Sequence, residues 1–247
     1  MGASFYGEAP VTVREDLAAA HERSWQRLAR PGTWLTAERR LAIAAEARRA
    51  PSCALCRERK DALSPNAVAG KHQSLGTLPD NLVEVIHRIR TDPGRLTRGW
   101  YDKLLASGLS EEEYVETVGV VVNIVAVDTF ARGIGMPLRA LSKAEPGAPS
   151  RRRPKGVKHG GAWVPWLDAG DTGPDEADLY PPGPPAANIY KAMSLVPDEV
   201  RGFFDLVRTQ YLPRPAMHDF SREYRAISHA QIELLAARVS AINRCEY

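Results

Sequence analysis

The 247-residue sequence predicts an all-α protein made of two copies of one helical unit, the second copy incomplete. Three observations predict this. Apolar residues recur at helical intervals through most of residues 12–142. Two capping boxes, Ser110 with Glu113 and Ser228 with Gln231, open the two most apolar stretches. The string that begins Leu78-Pro79-Asp80 and ends at Thr91 also realigns on the one from Val196-Pro197-Asp198 to Thr209. Its offset of 118 is the one that superposes the capping boxes.

The elements follow in order. Residues 14–30 are polar with apolar residues at helical spacing. Thr36 is an N-cap candidate for a second helix running to Ala50, where Pro51 interrupts it. Ser52 is expected to cap a new segment just ahead of Cys53, and Ser64-Pro65 closes that segment. Leu78-Pro79-Asp80 opens another helix, with apolar residues at 82, 85, 86 and 89. The run from Val118 to Val127 is rich in β-branched residues, which favour a strand. The capping box in front of it and Gly133, Gly135 and Pro137 behind it make it a buried helix instead. Residues 143–188 are rich in Pro and Gly around Trp163-Val164-Pro165-Trp166 and read as a linker or cover loop, part of which the tryptophans pack down. The last helix, over residues 231–242, also reads as buried. The expected organisation is an N-terminal unit over 1–142 holding the first repeat, the loop over 143–188, and an incomplete second repeat over 189–247.

Composition limits the function classes. With 44% hydrophobic and 26% charged residues the chain is of ordinary globular type. A net charge of +3 is too small to argue for nucleic acid. The basic run from Arg151 to Lys155 lies among prolines without aromatic residues between the charges, and reads as a solvated linker. No uninterrupted apolar segment reaches the roughly 18 residues of a membrane helix, and no export signal is visible. The expectation is a cytoplasmic protein with neither a nucleic-acid nor a membrane partner.

Chemistry points first to Cys53-Ala54-Leu55-Cys56. Two cysteines three apart on one helical turn share a face and can form a disulfide. A cysteine at a helix N-terminus meets the positive end of the dipole, with Arg57 and Lys60 adding to that field. The structural alternatives are cysteines that fill a core beside Leu55 and Leu63, or half a zinc site with His72 as third ligand. No second Cys or His pair completes such a site at zinc-finger spacing, so neither a metal nor a cofactor is expected. A second candidate pair is Glu233 and Cys245. Twelve residues turn a helix about 120° beyond three full turns, so a bend before Cys245 is needed to bring carboxylate and thiol together.

Here the sequence resembles a known family. Glu-x11-Cys-x-x-Cys-x3-His is the signature of the alkylhydroperoxidase D and carboxymuconolactone decarboxylase superfamily, and the string from Ile232 to Tyr247 resembles its beginning. The resemblance implies that Glu233 is the proton-relay glutamate and Cys245 the resolving cysteine. The peroxide-attacking residue would then fall at position 248 and a histidine at 252, past the last residue given. A truncated sequence and a UGA codon meant as selenocysteine at 248 are the two expectations for that register. In the first copy Glu116 and Asp128 keep the spacing with Asp128 in place of cysteine, so that copy looks degenerate. The helix from Glu38 to Cys56 resembles a catalytic helix of the family with Glu46 upstream, although Lys60 stands where the family has histidine. The implied activity is peroxide reduction with an unknown thiol reductant, in a homo-oligomer, and with little turnover by this chain alone. A carboxymuconolactone decarboxylase-like enzyme and a non-catalytic helical scaffold with core or zinc-binding cysteines are the alternatives.

Overall fold

Capping and punctuation set most of the helix boundaries. The computed structural model describes residues 5–180, 187–243 and 245. Helix α1 (Glu15–Leu28) opens on two acidic residues that suit the positive end of its dipole, and buries Leu17, Ala20, His21, Trp25 and Leu28. Helix α2 (Ala37–Arg49) is capped by the Thr36 hydroxyl, which accepts from the Arg39 amide at 3.3 Å. Pro51 ends it in a 3₁₀ turn over Ala50–Ser52. The cap expected at Ser52 is moved by one residue. Cys53 holds the N-cap position of α3 (Ala54–Asp61), while the Ser52 hydroxyl is spent on the Arg49 carbonyl at 2.7 Å. The remaining helices are α4 (Asp80–Thr91), α5 (Arg98–Ala106), α6 (Glu111–Gly133), α7 (Asn188–Lys191), α8 (Pro197–Gln210), α9 (Arg214–Met217) and α10 (His229–Ile242). Among the described residues there is no strand, only an isolated antiparallel bridge between Lys158 and Trp166. The fold is all-α, as the sequence predicts.

Helix α6 is the centre of the packing. Its capping box forms in full, with the Glu113 amide 3.1 Å from Ser110 Oγ, which settles the β-branched run as helix. Val120, Val121, Ile124 and Val127 are buried, and α2, α4 and α8 pack around them. Among the described residues α6 is the one helix long and apolar enough to cross a membrane, and 67% of that apolar stretch is buried inside the protein. The Pro-rich segment lies across the helices. The amides of Glu145 and Arg151 donate to the carbonyls of Ala29 and Thr33, Leu167 is fully buried, and Trp163 packs near Tyr101.

Helix α10 departs from the expectation of burial. Leu234, Leu235, Val239 and Ile242 are each more than half exposed. Its capping box forms as expected, with the Gln231 amide on Ser228 Oγ at 3.2 Å. Apolar composition fixed the helix, but among the described residues no element crosses α10 in the way α2 crosses α6.

A buried ion cluster joins four of these elements. The Arg40 guanidinium is 2.5 Å from Glu116 Oε1 and 2.8 Å from Glu199 Oε1, with all three side chains at most 2% exposed. Glu116 Oε2 also accepts the Trp34 amide at 2.6 Å, and Arg27 reaches Glu199 at 3.1 Å. Gly119 is required here, because a Cβ at that position would collide with the Glu199 carboxylate. Replacing Arg40 with Met leaves the buried Glu116 carboxylate without a charged partner and Glu199 with Arg27 alone. The expected loss is about 3–5 kcal/mol in a urea unfolding series. A loss under about 1 kcal/mol would mean that solvent reaches the cluster.

His21 supplies a pH-dependent contribution. Tyr6 Oη lies 2.7 Å from its Nδ1, and burial lowers its pKa to about 4. The unfolded chain takes up this proton near pH 6.5 and the folded chain only near 4. The neutral ring therefore stabilises the fold above about 6.5, and that contribution is lost as pH falls toward 4. The span corresponds to at most about 3 kcal/mol. His21→Phe should flatten the decline of urea stability over this window, and equal slopes for variant and parent would remove the assignment.

Candidate metal centre

Four side chains from three segments meet under the interrupted end of α2. Cys53 arrives as the N-cap of α3 and Cys56 one turn later, both buried. His72 comes from the segment between α3 and α4, and His87 from the buried face of α4. Their donor atoms, the two Sγ and the two imidazole nitrogens, all lie within 4.8 Å of one another. Cys56 Sγ is 3.1 Å from His87 Nδ1 and 3.4 Å from His72 Nδ1, and Cys53 Sγ is 3.6 Å from His72 Nδ1. Two sulfurs and two nitrogens bound to one tetrahedral zinc ion stand about 3.3–3.8 Å apart.

Each imidazole is held from behind by a carboxylate. His87 Nε2 is 2.8 Å from Glu46 Oε1, with both side chains fully buried, and His72 Nε2 is 2.8 Å from Glu84 Oε2. Glu46 uses its other oxygen for the Leu75 amide at 2.9 Å. Glu84 is itself fixed by Arg59 at 2.9 Å and by Trp100 Nε1 at 3.0 Å. A carboxylate facing Nε2 places the proton of a neutral ring there, which leaves Nδ1 of both rings to present a lone pair to a metal once His72 has given up its second proton. Four electron-pair donors therefore converge on one small volume.

Electrostatics reflect that crowding. Burial would raise the Cys53 thiol, but the Gln73 amide at 3.4 Å, with His72 and the Cys56 amide, brings it down to about 7. Burial would lower His72, but Cys56, Glu84 and Cys53 raise it to about 10. Glu84 is held near 2 against its own burial by His72, Arg59 and Trp100. His87 moves the other way, lowered by burial and then by the neighbouring His72, with Glu46 opposing. In the absence of metal the site thus takes up a proton on one imidazole.

The expected residues are distributed unevenly. Cys53, Cys56, His72 and Glu46 come together, while Lys60 is exposed and takes no part. No second Cys or His pair completes the half zinc site at zinc-finger spacing, but His87 adds a donor that could complete it. This fourth donor comes from α4, outside zinc-finger spacing. Glu84, also from α4, is a partner that the cysteine spacing does not point to. Glu116 and Asp128 are committed to Arg40 and Arg48, the latter through two 2.8 Å bonds. Glu233 is exposed, accepts a hydrogen bond from Tyr211 Oη and lies 3.3 Å from His229 Nε2. Cys245 is also exposed, and among the described residues no hydrogen bond joins the two. Comparison with family models, with curated proteins and with solved structures returned no match to this chain.

Proposed function

We propose that the chain is a metal-binding helical protein whose Cys53, Cys56, His72 and His87 hold a structural zinc ion. The observation that carries this reading is the convergence of the four donors, each imidazole backed by its own carboxylate. Two thiolates with two imidazoles in a closed tetrahedron suit zinc over magnesium or calcium, which take oxygen ligands. All four positions are filled by protein and the sulfurs are buried, so no open coordination site remains for a substrate. The ion would tie the end of α2, the start of α3, the 62–79 segment and α4 together. A reducing compartment such as the cytoplasm would keep both thiols available.

The purified, reduced chain should contain or take up one zinc per molecule, and cobalt substitution should give the visible absorption of a tetrahedral dithiolate site. His87→Ala or Cys56→Ser should abolish both signals. A reduced chain that neither carries zinc nor binds it on reconstitution ends this reading. Chelation should lower the melting temperature, and zinc uptake should weaken as pH falls, because the proton on His72 and those on the thiols must leave. Glu46→Gln and Glu84→Gln keep all four ligands but should lower zinc affinity by about 10–100-fold, measured by competition with a chromogenic chelator.

The peroxide chemistry implied by the family resemblance is a second reading. It is favoured by the hydrogen-bonded path from Cys56 through His87 to Glu46, which could carry a proton away from a reacting thiol. The metal-free, reduced chain should then consume peroxide catalytically with a dithiol reductant, and Cys56→Ser should stop it. Turnover that persists in Cys56→Ser but is lost in Cys245→Ser would move that chemistry to α10.

A further inference from the structure

We propose that this centre is a peroxide-sensitive fastener: oxidation of Cys53 and Cys56 to a disulfide expels the metal and releases the 62–79 segment. The proposal rests on the metal reading above and adds its regulation.

The first ground is the dependence of that segment on the centre. Between Ala62 and Pro79 the only regular structure is a short 3₁₀ turn over Pro65–Ala67, and only Pro65 and Leu78 are buried. Lys71, Gln73, Leu75, Gly76 and Thr77 are exposed. Apolar burial therefore does little to hold this stretch. Arginines hold its backbone and side chains at Ala62, Asn66, Val68 and Gln73, and the rest of its attachments run to the site. His72 faces both sulfurs, and the Gln73 amide donates to Cys53 Sγ at 3.4 Å. Gln73 Oε1 accepts the Ala54 amide at 2.9 Å, and the Leu75 amide donates to Glu46 at 2.9 Å. A segment with so little buried surface gives up its order cheaply once these contacts go.

The second ground is the sulfur pair. Cys53 and Cys56 occupy the N-cap and third position of α3, one helical turn, and their Sγ atoms lie within the 4.8 Å cluster. Both sulfurs are thiolates in the loaded centre and need no deprotonation to react. Peroxide takes two electrons from the pair. Its O–O bond breaks, an S–S bond forms, and two solvent protons complete two water molecules. A disulfide offers no thiolate to zinc, so the ion leaves to solvent with only the two imidazoles remaining. The Gln73 amide loses its charged acceptor in the same step. Because the sulfurs are buried beneath the segment, peroxide reaches them only when it opens. The loaded centre should thus oxidise more slowly than the metal-free chain.

The test uses the full chain loaded with zinc and exposed to hydrogen peroxide. Three readouts are followed together: released zinc with a chromogenic chelator, the mass of tryptic peptide 50–57, and the rate of tryptic cleavage after Lys71. This peptide contains Cys53 and Cys56 but not Cys245. Expected are zinc release in step with the loss of two hydrogens from the peptide and cleavage after Lys71 that is severalfold faster. Dithiothreitol with added zinc should reverse both, and prior chelation should speed disulfide formation. Zinc retained with both cysteines still alkylatable under excess peroxide overturns the proposal. So does zinc release that accompanies only irreversible sulfinate formation. A reduced chain that never binds zinc sinks the metal reading itself, whereas a chain that binds zinc and keeps it under peroxide sinks only the switch.

Discussion

The position of α2 is the constraint on which the rest depends, and Arg40 sets it. A guanidinium at 1% exposure survives in a protein interior only when its charge is met on several sides. Glu116 from α6 and Glu199 from α8 meet it, so one side chain of α2 is bonded to two other helices. Two turns further along, Arg48 forms a bidentate pair with Asp128, also on α6. Helix α2 is thereby pinned to α6 at both ends, with Ile43, Ala44 and Ala47 packed between the pins. The small alanines allow the close approach, and the ion pairs fix the register along it. Glu46 lies inside this pinned length, and Pro51 turns the chain immediately after it. The direction in which Cys53 and Cys56 enter the core follows from those two facts.

The charge balance at the cysteine site supports the proposed cation. Glu46 and Glu84 carry negative charge, Arg59 offsets one of them, and two thiolates would add two more. A buried volume with that excess of anionic donors has to recruit positive charge. Without metal the nearest source is a proton, and the His72 imidazole holds one well above its ordinary range. A divalent ion supplies more charge at the point where all four donors converge, and lets both rings be neutral as ligation requires. The carboxylates matter in both states. With metal they would hold the ring protons on Nε2, and without it Glu84 stabilises the His72 imidazolium.

Much of the fold was legible because it is written locally. The Ser110 box, Thr36 and Pro51 act over a few residues, and each does in three dimensions what its chemistry dictates. Burial was less legible, since it depends on a partner. The α6 and α10 sequences have similar apolar content and the same cap. Yet α6 is enclosed by three helices, while α10 leaves four large apolar side chains in solvent. The site was half legible. Cys53, Cys56, Glu46 and His72 are close in sequence and their types announce ligation or thiol chemistry. His87 was hidden because it sits among Leu82, Val83, Val85 and Ile86, where a helical apolar stripe reads as core. The usable signal was that a histidine on such a stripe must find a buried partner, and Glu46 on the helix opposite is that partner.

Spacing alone does not assign a chemical role, and the glutamates make the reason plain. Glu116 and Glu233 lie near the starts of two apolar helices, one residue out of register with the repeat, and each twelve residues before the position where the family resemblance expects a sulfur. A carboxylate can relay protons only if it can exchange partners during a reaction. Glu116 cannot, because Arg40 and the amides of Trp34 and Leu35 fill its acceptor sites in a dry interior. Moving a proton onto it would strip Arg40 of one of its counter-charges and loosen α2. Glu233 has the opposite difficulty. It is exposed, and its nearest groups are the Tyr211 hydroxyl and His229 rather than a thiol. Glu46 lies between these extremes. It is fully buried, but one oxygen faces a titratable imidazole that in turn faces a sulfur. The groups suited to proton-linked chemistry are therefore concentrated where α2 ends, and they include histidines that arrive from outside the cysteine motif.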